Sequence, residues 1–145
     1  MIIFLRHGEA ENNVKKILAG RTPGINLTEQ GKQQAEQAGE MIKSLNISTI
    51  YSSPIDRAMQ TAEIVGKHCD VKPISDDRLI ELDMGKFTMM PYDKIFTSHG
   101  NVFLKFYEGS LEISHNGVES FSEVQKRVFD IVDFVKNQHK GKNVL

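Results

Sequence analysis

The sequence has no second cysteine to pair with Cys69, which excludes an intrachain disulfide and with it a stapled secreted scaffold. A reducing compartment fits, and the cytoplasm is the expected location. A surplus of positive charge is missing too: 18 Lys+Arg stand against 19 Asp+Glu, a net charge of −1 with a pI near 6.5. Proteins that grip a nucleic-acid backbone generally need a basic excess to displace condensed counterions, so nucleic acid is not an expected partner. Long apolar runs are also lacking. The earliest, residues 1–5, is too short for a membrane span or a signal core, and Arg6 follows it instead of preceding it. Neither export nor membrane attachment is expected. No repeat or low-complexity segment interrupts a composition of 39% hydrophobic and 26% charged residues, ordinary for one globular domain over residues 1–145.

Met1-Ile2-Ile3-Phe4-Leu5 ends at Arg6-His7-Gly8, the pattern of a strand buried on both faces that stops at a glycine turn. From Thr28, a plausible helix cap, Ala35, Ala38, Met41, Ile42 and Leu45 recur at spacings of three and four, one helical stripe. Residues 47–51 read as a second strand that feeds a helix, with Ser53 as its cap and Pro54 in its first turn. That helix is expected to bury Ile55, Ala58, Met59, Ala62 and Val65. Residues 71–74 form a weak third strand, and the βαβαβ alternation predicts a mainly parallel α/β sheet. Residues 86–118, rich in glycine with an apolar cluster at 102–106, read as a helical insertion. Ser120-Phe121-Ser122-Glu123 has capping-box spacing before a helix ending near Gln138. Gly141 then breaks the chain before what looks like the opening of another strand.

Two features carry chemistry. Arg6-His7-Gly8-Glu9 follows the first strand, at the strand ends where open parallel sheets place their ligands. An imidazole can attack phosphorus while a neighbouring guanidinium forks onto the non-bridging oxygens. Arg57 stands in the first turn of a helix after a buried strand, where side chain and helix N-terminus both draw an anion. Taken alone, each is better read as local structure: a strand-end histidine in a local hydrogen bond, and a solvated arginine paired with Asp56 or Glu63. Together, Arg6, His7 and Arg57 fit around one phosphate-sized space.

Leu5-Arg6-His7-Gly8-Glu9-Ala10-Glu11-Asn12-Asn13 resembles the signature of the histidine phosphatase superfamily, the phosphoglycerate-mutase-like proteins. Residues 27–35 resemble its helix-opening motif, residues 51–62 its second-arginine motif, Leu79-Ile80-Glu81-Leu82-Asp83-Met84-Gly85 its acidic motif, and Gly117-Val118-Glu119-Ser120 a later landmark. The resemblance implies a three-layer α/β fold, a mainly parallel sheet with helices on both faces. It also implies a ping-pong reaction in which His7 becomes a phosphohistidine. Arg6, Arg57 and Asn13 would hold the phosphoryl group, and Glu81 would protonate the leaving oxygen and later take a proton from water. No metal and no other cofactor is implied.

The family pattern also has a second histidine in a late His-Gly motif, and no residue here matches it. His99-Gly100 precedes the 117–120 landmark, His115 adjoins it, and His68 and His139 sit near helix ends. The expectation is therefore a chain that stops just before that histidine, inside a strand at 144–145, and that folds weakly with impaired catalysis. Gly85-Lys86-Phe87-Thr88-Met89-Met90 departs from the family's Gly-Glu-Trp-Glu-Gly, and residues 20–27 resemble a loop of broadly acting phosphatases. Paired arginines of the kind the glycolytic mutases use are not seen. The expected activity is hydrolysis of a small phosphorylated metabolite, ahead of a mutase and of an inactive phosphate-binding module. Arg21 is a candidate substrate contact or an exposed loop residue, the 102–106 cluster is read as packing before lid, and homo-oligomerisation is left open.

Overall fold

The computed structural model describes residues 1–107 and 117–145, the side chains of His99 and residues 101–107 excepted. Short parallel segments form an α/β core. Strand β4 (Asn143–Val144) runs between residues 1–3 and β1 (Ile47–Thr49), and β2 (Tyr51–Ser52) pairs with β3 (Ile74–Ser75). Backbone bonds from Ile3 N to Val144 O at 2.9 Å and from Tyr51 N to Leu145 O at 2.8 Å carry the pairing across the sheet.

Side chains alternate across this sheet with the two-residue period of a strand, except where an irregularity in register between Ile47 and Thr49 brings Ile47 and Ile50 to the same face. Ile3, Ile47, Ile50 and Leu145 face α2 (Glu29–Ile42) and α3 (Asp56–Cys69), where they meet Ala38, Ala62 and Val65. Ile2, Tyr51 and Val144 face the opposite way, onto Ile131 and Val135 of α5 (Phe121–Gln138). Complete burial of an aliphatic side chain such as Val65 or Val144 contributes ~1.5–3 kcal/mol. Among the described residues the remaining α-helices are a single turn, α1 (Glu11–Val14), and α4 (Tyr92–Tyr107), whose Ile95 packs with Met84, Phe87 and Val118. Among the described residues no helix is long and apolar enough to cross a membrane.

Thr28 caps α2 by accepting from Gly31 N, Ser120 and Glu123 form the expected capping box, and Gly141 takes a left-handed φ of 74° before β4. Three local expectations are corrected. Residues 1–5 are not a strand buried on both faces: beyond Ile3 no backbone bond ties residues 4–7 to a neighbour among the described residues, and Phe4 is 74% exposed. Helix α3 starts at Asp56 with Ile55 as its cap, so Pro54 lies outside it, and Ser53 Oγ accepts from Ile55 N. Met41 is exposed because α2 packs through a narrow face of small residues, Gly31, Ala35 and Gly39, and Met41, two residues beyond Gly39, points to the opposite side of the helix. A Cβ on Gly39 would lie 2.5 Å from the His68 ring.

Candidate active site

His7 follows the segment that runs beside β4. Its Nδ1 lies 2.7 Å from the Gly8 carbonyl, so Nδ1–H donates there and the lone pair is left on Nε2. Burial pushes the His7 pKa down. The Gly8 carbonyl opposes that, but the charges of Arg57 and Arg6 reinforce it, and the net direction is below the usual 6.5. A neutral imidazole with an unprotonated Nε2 is the nucleophilic form. Gly8 is required by a close approach: a Cβ there would sit 2.3 Å from Gly31 O, and one on Gly31 would sit 1.9 Å from Glu9 O. The start of α2 is thereby pressed against the turn that carries His7. Thr61 on α3 accepts from Gly8 N at 3.2 Å and holds the same turn from the other side.

Arg57 is 3% exposed, which overturns the solvated reading. Asp56 is turned to another task, accepting from Gly24 N at 2.6 Å. Arg57 Nε donates to His7 Nε2 at 3.3 Å, and its Nη2 donates to Gly20 O at 3.0 Å and lies 3.6 Å from Glu81 Oε2. Gly20 presents that carbonyl from a left-handed φ of 51°. Nη1 is buried with no hydrogen-bond partner among the described residues. A buried guanidinium N–H without an acceptor is costly, and an anion beside His7 would satisfy it. Arg6 is exposed at the rim of the same cleft, which has a volume of about 270 Å³ and is also lined by Ser52, Ser53 and Glu81.

The Glu81 side chain is 46% exposed, and its Oε1 accepts from Leu82 N at 2.9 Å. Arg21, read from the sequence as either a substrate contact or an exposed loop residue, is engaged by the protein. Its Nε donates to the Glu81 carbonyl at 2.8 Å, Nη2 donates to Glu119 Oε2 at 3.0 Å, and Nη1 lies 3.5 Å from Asp83. Asn13 Oδ1 accepts from Ala10 N at 2.8 Å and so closes the first turn of α1. His139 bonds Tyr51 Oη through Nε2 at 3.0 Å and His68 meets Glu36 at 2.5 Å, both away from His7. His115 and the side chains of His99 and the 102–106 cluster lie outside the described residues.

Sequence reasoning brought Arg6, His7, Arg57 and Glu81 to one cleft but missed Thr61, Gly20 and Arg127. Thr61 stands four residues after Arg57, one helical turn on, and that spacing was the available signal. Gly20 acts through its carbonyl, for which a side-chain pattern offers none.

A model of the histidine phosphatase superfamily (branch 1) matches residues 2–145. The chain is 44% identical over 84 residues to the 2,3-bisphosphoglycerate-dependent phosphoglycerate mutase of Thermoplasma acidophilum, covering 58% of this chain and 42% of that protein. It is 29% identical over 147 residues to phosphoserine phosphatase 1 of Hydrogenobacter thermophilus, covering 99% of this chain and 68% of that protein. The solved structure of a mycobacterial glucosyl-3-phosphoglycerate phosphatase, Rv2419c, superposes with a TM-score of 0.86 at 26% identity, covering 97% of this chain and 70% of that one. The chain thus spans between 42% and 70% of the length of these relatives.

Proposed function

Because the chain belongs to the histidine phosphatase superfamily, branch 1, we propose that it hydrolyses small phosphomonoesters through a phosphohistidine on His7. The observation that carries this reading is the pairing of an unprotonated His7 Nε2, which accepts a long 3.3 Å bond from Arg57 Nε, with a buried Arg57 whose Nη1 lacks an acceptor among the described residues. Nε2 attacks phosphorus as the ester P–O bond breaks, and Arg57 and Arg6 take up the charge gathering on the non-bridging oxygens. Glu81, as the carboxylic acid, gives its proton to the leaving oxygen. Water then attacks the phosphohistidine, passes a proton to Glu81, and frees His7 and inorganic phosphate. Asn13 Nδ2, on the turn after His7, is proposed to reach the same phosphoryl oxygens, with the cytoplasm as the setting.

Relatives of both chemistries are similar to this chain, a mutase and two phosphatases by name. Hydrolysis is preferred because Arg21, the one additional arginine near the cleft in the 17–27 loop, is bound to Glu81, Asp83 and Glu119 instead of standing free for a substrate carboxylate.

The test is to incubate the chain with a radiolabelled phosphomonoester and quench in alkali, beside His7→Ala. Acid-labile label on the wild type, absent from the variant, is expected together with released phosphate. A phosphorylated sugar acid converted to its positional isomer would support a mutase instead. Phosphate binding with neither label nor turnover would replace the reading with an inactive binding module.

A further inference from the structure

Glu119 has no place in the chemistry above, yet it is among the most heavily bonded side chains near the cleft, with its carboxylate only 13% exposed. Its two oxygens accept from Arg127 Nε at 2.8 Å and Nη2 at 2.9 Å, a bidentate fork. Oε2 also accepts from Arg21 Nη2 at 3.0 Å and from Asp83 N at 3.3 Å. Burial raises the Glu119 pKa, but Arg127, the Asp83 amide and the charge of Arg21 outweigh it, so the carboxyl is held below the usual glutamate range.

What the two arginines do with their remaining donors is the informative point. Arg127 Nη1 donates to the Arg78 carbonyl at 2.8 Å, and Arg21 Nε donates to the Glu81 carbonyl at 2.8 Å. The loop that presents Glu81 is therefore gripped at its entrance and at the acid itself by two guanidinium groups sharing one carboxylate. Glu119 N donates to the Asp83 carbonyl at 2.9 Å and Met84 bridges Val118, which pins the loop's exit. Among the described residues the Glu81 side chain makes no comparable anchor: its carboxylate bonds the neighbouring Leu82 amide and approaches Arg57 at 3.6 Å.

We propose that Glu119, acting through Arg21 and Arg127, is the positioning residue that holds the Glu81 carboxyl at the leaving-group side of the cleft. The proposal rests on the phosphoryl-transfer reading of His7 and Glu81. Its consequence is specific to proton donation. An alkyl phosphate needs its leaving oxygen protonated, whereas an activated nitrophenyl phosphate departs with little help, so a misplaced Glu81 slows the first far more than the second.

The experiment compares the chain with its Glu119→Ala, Glu119→Gln and Arg21→Lys variants on an alkyl and a nitrophenyl phosphate, and follows amide exchange over residues 79–84. For Glu119→Ala the expected result is a kcat lowered about 10- to 100-fold on the alkyl ester and less than about threefold on the nitrophenyl ester. KM should stay within about twofold, and exchange should quicken at 79–84 alone. Glu119→Gln, which keeps an acceptor oxygen, should recover part of the alkyl-ester rate. Should the alanine variant fail to fold, Arg21→Lys carries the same comparison, because it removes the guanidinium that bridges the Glu81 carbonyl and Glu119 and leaves the Glu119–Arg127 pair intact. Equal losses on both esters, or unchanged exchange at 79–84, overturns the proposal. A wild-type chain that releases phosphate from neither ester defeats the functional reading, and the exchange measurement then still decides whether Glu119 holds the loop.

Discussion

Arg57 reaches His7 across 50 positions of sequence, its Nε donating to Nε2 at 3.3 Å while Nη1 stays buried and unpaired among the described residues. The cation is held in place before any substrate arrives, which is what transition-state stabilisation by fixed charge requires. Arg57→Ala should lower kcat on a nitrophenyl phosphate by about 10²- to 10³-fold. Arg57→Lys should recover little, because one ammonium cannot reproduce the bonds made by Nε and Nη2. A steady-state assay of both variants, with circular dichroism to confirm folding, checks this.

The acid limb of kcat/KM should lie below pH 6.5. The folded protein depresses the His7 pKa, chiefly by burial and further through Arg57 and Arg6, so the imidazole stays neutral into mildly acid solution. Arg6→Ala removes one lowering charge and should move that limb back toward 6.5. The sign for stability follows: with the folded pKa below the unfolded one, the unfolded state binds more protons, so this group's contribution is complete above about pH 6.5 and declines as pH falls through that value. A pH–rate profile of wild type and Arg6→Ala measures the first point, and urea melts at several pH values the second.

Two glycine-to-alanine changes within helices should act in opposite directions. On Gly31 of α2 the new Cβ would lie 1.9 Å from the Glu9 carbonyl, backbone that cannot swing aside, and the cost of about 1–3 kcal/mol or more exceeds the ~1 kcal/mol gain in helix propensity. On Gly100 of α4 the Cβ meets nothing within 4 Å among the described residues, so the change should stabilise by about 0.5–1 kcal/mol. Urea midpoints of the two variants against wild type decide the matter, and Gly31→Ala should also lose activity with its His7 turn.

Ser120→Ala should cost about 1 kcal/mol, because Ser120 Oγ accepts from Glu123 N while the Glu123 carboxylate accepts from Ser120 N at 2.8 Å. A thermal melt should show a fall of about 2–4 °C. A drop in kcat larger than the loss of folded protein explains would show that the cap also steadies neighbouring Glu119.

Helix starts were legible where a side-chain oxygen does the capping, as at Thr28 and Ser120, since three-residue spacing is written in the sequence. The start of α3 was not, because Ile55 caps it with no side-chain bond and Pro54 was equally suited to a turn or a first helical position. Apolar spacing found the α2 stripe but overcounted Met41, since a helix that packs through Gly31 and Gly39 has a narrower buried face than its hydrophobicity implies. Within the cleft, His7, Arg6, Arg57 and Glu81 were found because each falls in a motif. The role of Arg21 was not: whether a loop arginine faces a ligand or a carboxylate depends on Glu119, 98 positions away.

The amino-terminal stretch is tied into the sheet by β4, more than 140 residues later: Val144 N donates to Met1 O, Ile3 N donates to Val144 O, and Met1 N donates to Lys142 O. Contacts this distant along a chain close late and slowly. During translation residues 1–3 must therefore wait without their β4 partner until residue 144 has left the ribosome. A nascent chain shorter than that carries His7 without the β4 pairing that fixes the stretch before it, and leaves that apolar stretch open to aggregation in the interval.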